Sequence, residues 1–319
     1  MPHSGEASPS MSEPARLPPV RVALILNRDA GGGAASGQRD AALEALRAAG
    51  VEAEVVRVRP DEFTRTAREA ARSHDAVVAA GGDGTVSSVA AGLVGGDTPL
   101  GVLPLGTLNH FAKDLGVPLE LEDAAAVIAA GNVRRVDVGE VNGRTFVNNS
   151  SIGAYPLAVS LRERLQEQHG YGKWLAMARA SLTVFKRLPL LTVELRADGE
   201  PVELCTPIVF VGNDEYDVTT LPPGRRTRLD DGCLCVCTVR AEARRHVLLL
   251  AGRALLGRLH TADDLEARLV GELEVRVDRR SLPVAVDGEV LRLDTPLRYR
   301  TRPGALPVLA PPAADGDAA

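Results

Sequence analysis

The chain has 319 residues, a formal net charge of −5, 45% hydrophobic and 25% charged residues, the balance of a globular protein with room for one large domain or two ordinary ones. The acidic balance and an aromatic content of 3% exclude a general nucleic-acid binder, which needs a basic face and rings on which bases stack. No apolar run reaches the ~20 residues of a membrane-spanning helix. The four cysteines show neither Cys-x2-Cys spacing nor close His partners, which argues against a zinc site or a disulfide framework and for a reducing cytoplasm.

In chain order, residues 1–19 are rich in Pro, Ser and Glu without an apolar core and predict a disordered tail, with Met11 an alternative start. Residues 20–132 then alternate strand-like and helix-like segments. A strand at 22–26 leads into the loop Asn27-Arg28-Asp29-Ala30-Gly31-Gly32-Gly33 and a helix at 38–49, followed by a strand at 54–58 and a helix at 62–73. The apolar run from Val77 stops in Gly81-Gly82-Asp83-Gly84-Thr85 and opens a further helix. A strand at 100–103 ends in Pro104-Leu105-Gly106-Thr107-Leu108-Asn109-His110, with helical segments beyond. Strands separated by helices predict a parallel sheet with helices on both faces.

Residues 133–310 change character, with short alternating pieces at 135–141, 145–149, 191–195, 207–211, 233–239, 273–277 and 283–286. They predict an antiparallel β domain interrupted by helical segments at 156–188 and 242–259, the last strand closing this domain or returning to the first. Cys233, Cys235 and Cys237 alternate on one packed strand face, and residues 311–319 form a second unstructured tail.

Three of the turns carry chemistry. Glycine lacks a Cβ, so Gly81, Gly82 and Gly84 can take positive φ and bring backbone N–H groups close to an anion at a helix N-terminus, where Asp83 and Thr85 add a carboxylate and a hydroxyl. A plain strand-to-helix turn fits the same residues. The loops after the first strand and after 100–103 occupy the equivalent position, so three strand-end loops converge on one crevice, and Thr107 and Asn109 offer bonds to phosphate oxygens or a magnesium-bound water. Residues 32–37 have P-loop glycine spacing but continue Gln38-Arg39 where that motif needs Lys and Ser or Thr, and no dinucleotide fingerprint is completed.

Together, Gly81-Gly82-Asp83-Gly84-Thr85 and Pro104-Leu105-Gly106-Thr107-Leu108-Asn109 resemble the diacylglycerol kinase catalytic-domain family, and within it the bacterial lipid kinases. The likeness extends through Asp137-Val138-Gly139, Asn148-Asn149-Ser150-Ser151-Ile152-Gly153, Leu229-Asp230-Asp231-Gly232 and Asp287-Gly288-Glu289, over residues 20–311. The resemblance implies an α/β domain like that of NAD kinases, a C-terminal β-sandwich domain, and ATP bound between them. It implies ATP and Mg²⁺ held by Asn27, Gly31, Gly82, Asp83, Gly84, Thr85, Thr107 and Asn109, with Asp83 on the metal. It places the general base at Asp287, with Glu289 close behind, on one side of an extended segment that Gly288 can turn. A plain Asp-Gly hairpin is the local alternative. It also implies a structural magnesium in the β domain on the carboxylate of Asp231 and the carbonyls of Arg228 and Cys233, against the alternative of an acidic hairpin. The chain departs from the family's usual pattern at three places: His110 replaces Asp, Ser87-Ser88 replaces Asn-Glu, and Arg28 follows Asn27 in place of Pro.

The segments 156–188 and 242–259 are basic and amphipathic in an acidic chain, with Arg162, Arg164, Lys173, Arg179, Lys186 and Arg187 in the first. They suit an anionic bilayer, or an apolar face packed on the sandwich with solvated arginines. The expectation is an ATP- and Mg²⁺-dependent lipid kinase, cytoplasmic and peripheral at the inner membrane surface, that phosphorylates the hydroxyl of diacylglycerol or a similar lipid. NAD kinase and a degenerate, non-catalytic nucleotide or lipid sensor are the alternatives. The identity of the lipid and the oligomeric state, a homodimer included, leave no mark in the sequence.

Overall fold

The structure is a computed structural model that describes residues 20–28, 33–169, 172, 175–176, 179–180, 183, 190–217, 226, 228–239 and 265–312. The first half runs β1 (Arg21–Asn27), α1 (Gly33–Ala48), β2 (Glu52–Val58), a 3-10 turn (Pro60–Glu62), α2 (Phe63–Ala70), β3 (Ala76–Gly81), α3 (Asp83–Leu93), β4 (Leu100–Pro104), α4 (His110–Asp114) and α5 (Leu121–Ala130). The four strands are parallel in the order β2-β1-β3-β4. β1, β3 and β4 are buried along almost their whole length, which is why they read as continuous apolar runs: helices cover the sheet, α1 packing beside α5 and α2 beside α3.

The second half runs β5 (Val133–Val141), β6 (Arg144–Phe146), β7 (Asn149–Gly153), α6 (Ala154–His169), β8 (Leu191–Ala197), β9 (Glu200–Thr206), β10 (Ile208–Asn213), β11 (Leu234–Val239), β12 (Leu265–Val270), β13 (Glu272–Val277), β14 (Ser281–Val286), β15 (Glu289–Asp294) and β16 (Leu297–Leu309). An antiparallel sheet of order β12-β11-β10-β7-β14-β15 forms one layer of a β-sandwich. The other layer is continuous with the parallel sheet, which extends from β4 through β16 and β13 to β8 and β9, with β5 paired to β16 and β6 to β5. Phe146, Ile152, Val193, Val211, Val284, Leu297 and Tyr299 fill the space between the layers.

The strand β16 joins the halves. Its start pairs antiparallel with β13, its whole length follows β5 across a register shift between Arg302 and Leu306, and Val308 near its end lies parallel beside Leu100 of β4.

The single strand expected at 145–149 is broken: β6 ends at Phe146 and β7 begins at Asn149 in the other sheet. The interruption is possible because a carboxylate takes over the N–H groups that a ladder would have used, as described below. The strands β9 and β12 were not expected; a two-residue turn, Asp198-Gly199, with φ of 47° and 96°, reverses the chain between β8 and β9. Of the basic segments, α6 covers Ala154–His169. Lys173, Trp174, Met177, Phe185, Lys186 and Arg187, the whole stretch 242–259, Gly31 and the expected tail 1–19 lie outside the described residues.

Candidate active site

β1, β3 and β4 are adjacent and parallel, with Leu26 beside Ala80 and Gly81 beside Pro104, so the loops that follow them open at one edge of the sheet. This edge brings together Asn27, the half-buried last residue of β1, Gly82 at the N-cap of α3, Asp83 in its first turn, and the exposed Thr107. The N–H groups at the start of α3 have no carbonyl partner within the helix and favour an anion there.

None of Gly81, Gly82 or Gly84 takes positive φ, contrary to the conformational reason given for them; Gly82 has φ −89° and ψ −175°. Glycine is needed for close approach. A Cβ on Gly106 would overlap Cα of Gly82 and sit 2.7 Å from Oδ1 of Asn109, and a Cβ on Gly81 would sit 2.5 Å from Oγ1 of Thr85. The two glycine loops are therefore packed backbone to backbone. Asn109, in the left-handed region at φ 51°, accepts the Gly106 N–H at 3.0 Å and donates to the Gly106 carbonyl at 2.9 Å, so its amide closes the second loop on itself. Asp83 accepts the N–H of Phe111 at 3.3 Å, tying the first loop to the start of α4, which the exposed His110 opens.

Across from α3 stands the hairpin of β14 and β15. Val286 and Glu289 pair directly, and Asp287 and Gly288 between them have φ of 47° and 87°, a two-residue turn with both centres at positive φ. The expected side-by-side placement of Asp287 and Glu289 on an extended segment is thus replaced by a tight reversal, with Glu289 exposed at the start of β15. The half-buried Asp287 carboxylate accepts three backbone N–H groups from the break between β6 and β7: Val147 at 2.8 Å on Oδ2, Asn148 at 2.8 Å and Asn149 at 3.0 Å on Oδ1. Burial raises the Asp287 pKa above the ordinary carboxylate value, while these N–H groups and the Ser87 hydroxyl nearby oppose the rise. Between the hairpin and α3 lies a cleft of about 390 Å³, lined by Gly84, Ser87 and Ser88 on one side and Asp287 and Glu289 on the other, with Arg68 and Arg144 contributing.

Asp198 shows that an Asp-Gly turn alone does not make such a site. It has the same backbone conformation and accepts the N–H groups of Gly271 and Glu272 at 3.2 and 3.1 Å, yet it is exposed and does not line the cleft.

Two residues that the sequence did not single out hold this arrangement in place. The Arg226 guanidinium is fully buried and pairs with Asp114, at the end of α4, at 2.9 Å. It also donates to the carbonyl of Val147 at 2.6 Å, that of Asn213 at 3.2 Å and Oδ1 of Asn148 at 3.0 Å, and it lies over the Tyr216 ring, 5.3 Å from its centroid. Arg226 therefore joins the helix after the Thr107 loop to the segment whose N–H groups hold Asp287. Only the folded topology brings Arg226 and Asp114 together, 112 positions apart.

Arg228, Asp231 and Cys233 gather in the β half around a buried acidic residue, Asp214. Asp231 pairs with Nε of Arg228 at 3.1 Å, and the Cys233 carbonyl accepts the Asp214 N–H at 3.0 Å. Asp214 is fully buried, and neither of its carboxylate oxygens has a hydrogen-bond partner among the described residues. Burial first, then the facing Asp137, push its pKa up to about 8. Burial and the Asp214 charge likewise push the Cys233 thiol up to about 12. Orphaned carboxylate oxygens beside backbone carbonyls suit a hard cation such as Mg²⁺. Among the described residues no three His, Cys, Asp or Glu side chains are grouped to hold a metal ion, so a cation here would need carbonyls and water as further ligands. Asp83 offers a carboxylate at the α3 edge, with one of its oxygens engaged by the Phe111 N–H.

Comparison with known proteins agrees with this architecture. The pattern of the diacylglycerol kinase catalytic domain matches residues 21–141, and that of the YegS C-terminal NAD kinase beta sandwich-like domain matches residues 152–310. The chain is 30% identical over 235 residues to the diacylglycerol kinase of Bacillus subtilis (strain 168), covering 72% of this chain and 76% of that protein. It is 34% identical over 281 residues to the Pseudomonas fluorescens protein named "Probable lipid kinase YegS-like", covering 85% and 90%. A crystal structure of a candidate diacylglycerol kinase from Bacillus anthracis str. Sterne superposes with a TM-score of 0.72 at 26% identity, covering 92% of this chain and 98% of that one. With both halves, the order of the motifs and the fold in agreement, the chain belongs to the diacylglycerol kinase catalytic-domain family and is a kinase of the lipid-kinase class.

Proposed function

We propose that the chain transfers the γ-phosphoryl group of ATP to the hydroxyl of diacylglycerol or a similar lipid, with Asp287 as general base. The observation that carries this reading is the Asp287 carboxylate held by three N–H groups across a cleft from the first turns of α3. Phosphoryl transfer asks the protein mainly to position the reactants and stabilise charge. The loops after β1, β3 and β4, with Asn27, Gly82, Gly84, Thr85 and Thr107, would cradle the phosphates. Mg²⁺, held at Asp83, would neutralise charge on the transferring group. A second Mg²⁺, held by Asp231 and the carbonyls of Arg228 and Cys233 with the orphaned Asp214 oxygens beside them, would be structural.

A carboxylate offers about four lone-pair positions. Oδ1 of Asp287 takes two N–H groups and Oδ2 takes one, so Oδ2 keeps a position for the incoming proton. The acceptor O–H bond breaks to that oxygen, the acceptor oxygen bonds to the γ-phosphorus, and ADP leaves with the electron pair of the broken P–O bond. No helix among the described residues is long and apolar enough to cross a membrane. The test is a panel of acceptors with γ-labelled ATP: diacylglycerol, a sphingoid base and phosphatidylglycerol in mixed micelles, with NAD in parallel. Mg²⁺-dependent label in a lipid is expected; label in NADP alone, or in no acceptor, overturns the reading.

A further inference from the structure

Ser87 lies one turn into α3, beyond the glycine loop, and lines the cleft opposite Asp287. Its Oγ is buried and has no hydrogen-bond partner among the described residues, although an unpaired buried hydroxyl is costly. The Asp287 carboxylate has the complementary deficit. Three of its lone-pair positions are filled by the N–H groups of Val147, Asn148 and Asn149, and the fourth, on Oδ2, is not. The orphan donor and the spare acceptor position face the same cleft from opposite halves of the molecule.

We propose that Ser87 is a positioning residue for the base: its hydroxyl caps the spare lone pair of Asp287 while the acceptor is absent and yields that position to the acceptor hydroxyl when substrate enters. The inference rests on the assignment of Asp287 as base. Ser87 and Asp287 line the same cleft and Ser87 favours the ionised carboxylate; in the proposed resting state a side-chain rotation of Ser87 turns its unpartnered Oγ onto the spare lone pair. The cap keeps the base ionised and aimed before the acceptor arrives, and the acceptor exchanges one O–H donor for another.

The other charged groups of the cleft come from every surrounding element: Arg68 on α2, Glu140 on β5, Arg144 on β6, Glu289 on β15 and Arg302 on β16, with Arg226 and Tyr216 behind the Val147 segment. All stay in place when Ser87 alone is changed, so the difference between variants reports Ser87.

The sign follows from the group being a carboxylate. Removing a donor to the charged form raises the pKa of the base, so activity is lost on the acid side and recovered above the new pKa. The kcat/KM profile reports the free enzyme and the kcat profile the substrate complex. With Ser87→Ala, the acid limb of kcat/KM is expected to move up by roughly one pH unit, an about tenfold loss below both limbs, while the acid limb of kcat stays in place. Ser87→Thr, which keeps the hydroxyl, restores the wild-type profile. Coincident kcat/KM profiles for wild type and Ser87→Ala, or equal shifts of both limbs, overturn the cap while leaving Asp287 as base. Turnover retained in Asp287→Asn overturns the base assignment, and the cap with it.

Discussion

Asp287 and Asp198 occupy the same turn conformation, so replacing each by Asn separates the chemistry of the site from the chemistry of the turn. Asn tolerates the left-handed region, and the backbone is not perturbed by either change. At position 198 one oxygen accepts both N–H groups, of Gly271 and Glu272, and an Asn oxygen can keep both. Asp198→Asn should change stability by no more than about 0.5 kcal/mol and leave turnover intact. At position 287 the acceptors are split, with Asn148 and Asn149 on one oxygen and Val147 on the other. An Asn oxygen can keep the first pair, but its NH₂ then faces the Val147 N–H and strands a donor, at a cost of about 1–3 kcal/mol. Relief of a buried charge offsets part of that cost, so Asp287→Asn should lose stability modestly and remain folded. Turnover should fall by about 10²–10⁴, the contribution of a positioned general base. Urea unfolding and γ-phosphoryl transfer to lipid, measured on both variants, check the pair. Turnover in folded Asp287→Asn close to that of the wild type would refute the reasoning, as would an equal loss in Asp198→Asn.

Three further outcomes follow from the geometry. Arg226→Met removes the partner of a carboxylate whose side chain is only 7% exposed and strips bonds from Val147, Asn148 and Asn213, so it should cost about 3–5 kcal/mol in chemical denaturation, part of it recovered by adding Asp114→Leu. Gly106→Ala drives a methyl into Gly82 and should separate the two glycine loops, lowering kcat/KM for ATP by on the order of 10²-fold, whereas Gly37→Ala, exposed in α1 with nothing within 4 Å of its Cβ, should stabilise the helix by about 0.5–1 kcal/mol. If the pocket around Asp214 and Asp231 holds Mg²⁺, the ion should raise the wild-type unfolding free energy by about 2.7 kcal/mol at a hundredfold excess over its Kd, and chelation should remove the gain. The same titration on Asp214→Asn combined with Asp231→Asn should show no response; an undiminished response would place the metal elsewhere.

The α/β half was legible because β1, β3 and β4 are buried on both faces and announce themselves as unbroken apolar runs ending in glycine. The sandwich half was legible in class and blurred in detail, since its short strands carry little pattern each. Asp198-Gly199 is the turn that pairs β8 with β9, a two-residue signal too short to stand out among polar neighbours. Sequence alone ran a strand through Val147 and Asn148, because nothing local shows that a carboxylate 139 or 140 positions away will claim their N–H groups. Asp83, Thr107 and Asp287 were singled out from turns and motif order, and the fold places them around one sheet edge and the cleft beside it. Arg226, Asp114 and Asp214 were not, because an isolated Arg or Asp on a polar stretch reads as solvated surface, and only the fold buries it. Gly82 was noticed for the wrong physical reason: it serves a contact with Gly106 in the neighbouring loop, which one loop's sequence cannot show.

A crystal structure of the chain with Mg²⁺ and a non-hydrolysable ATP analogue tests the account most directly. It should show the phosphates along the loops that follow β1, β3 and β4, and the terminal phosphate at the start of α3, facing Asp287 across the cleft. A terminal phosphate turned away from the β14–β15 hairpin, or a nucleotide bound outside these loops, would contradict it.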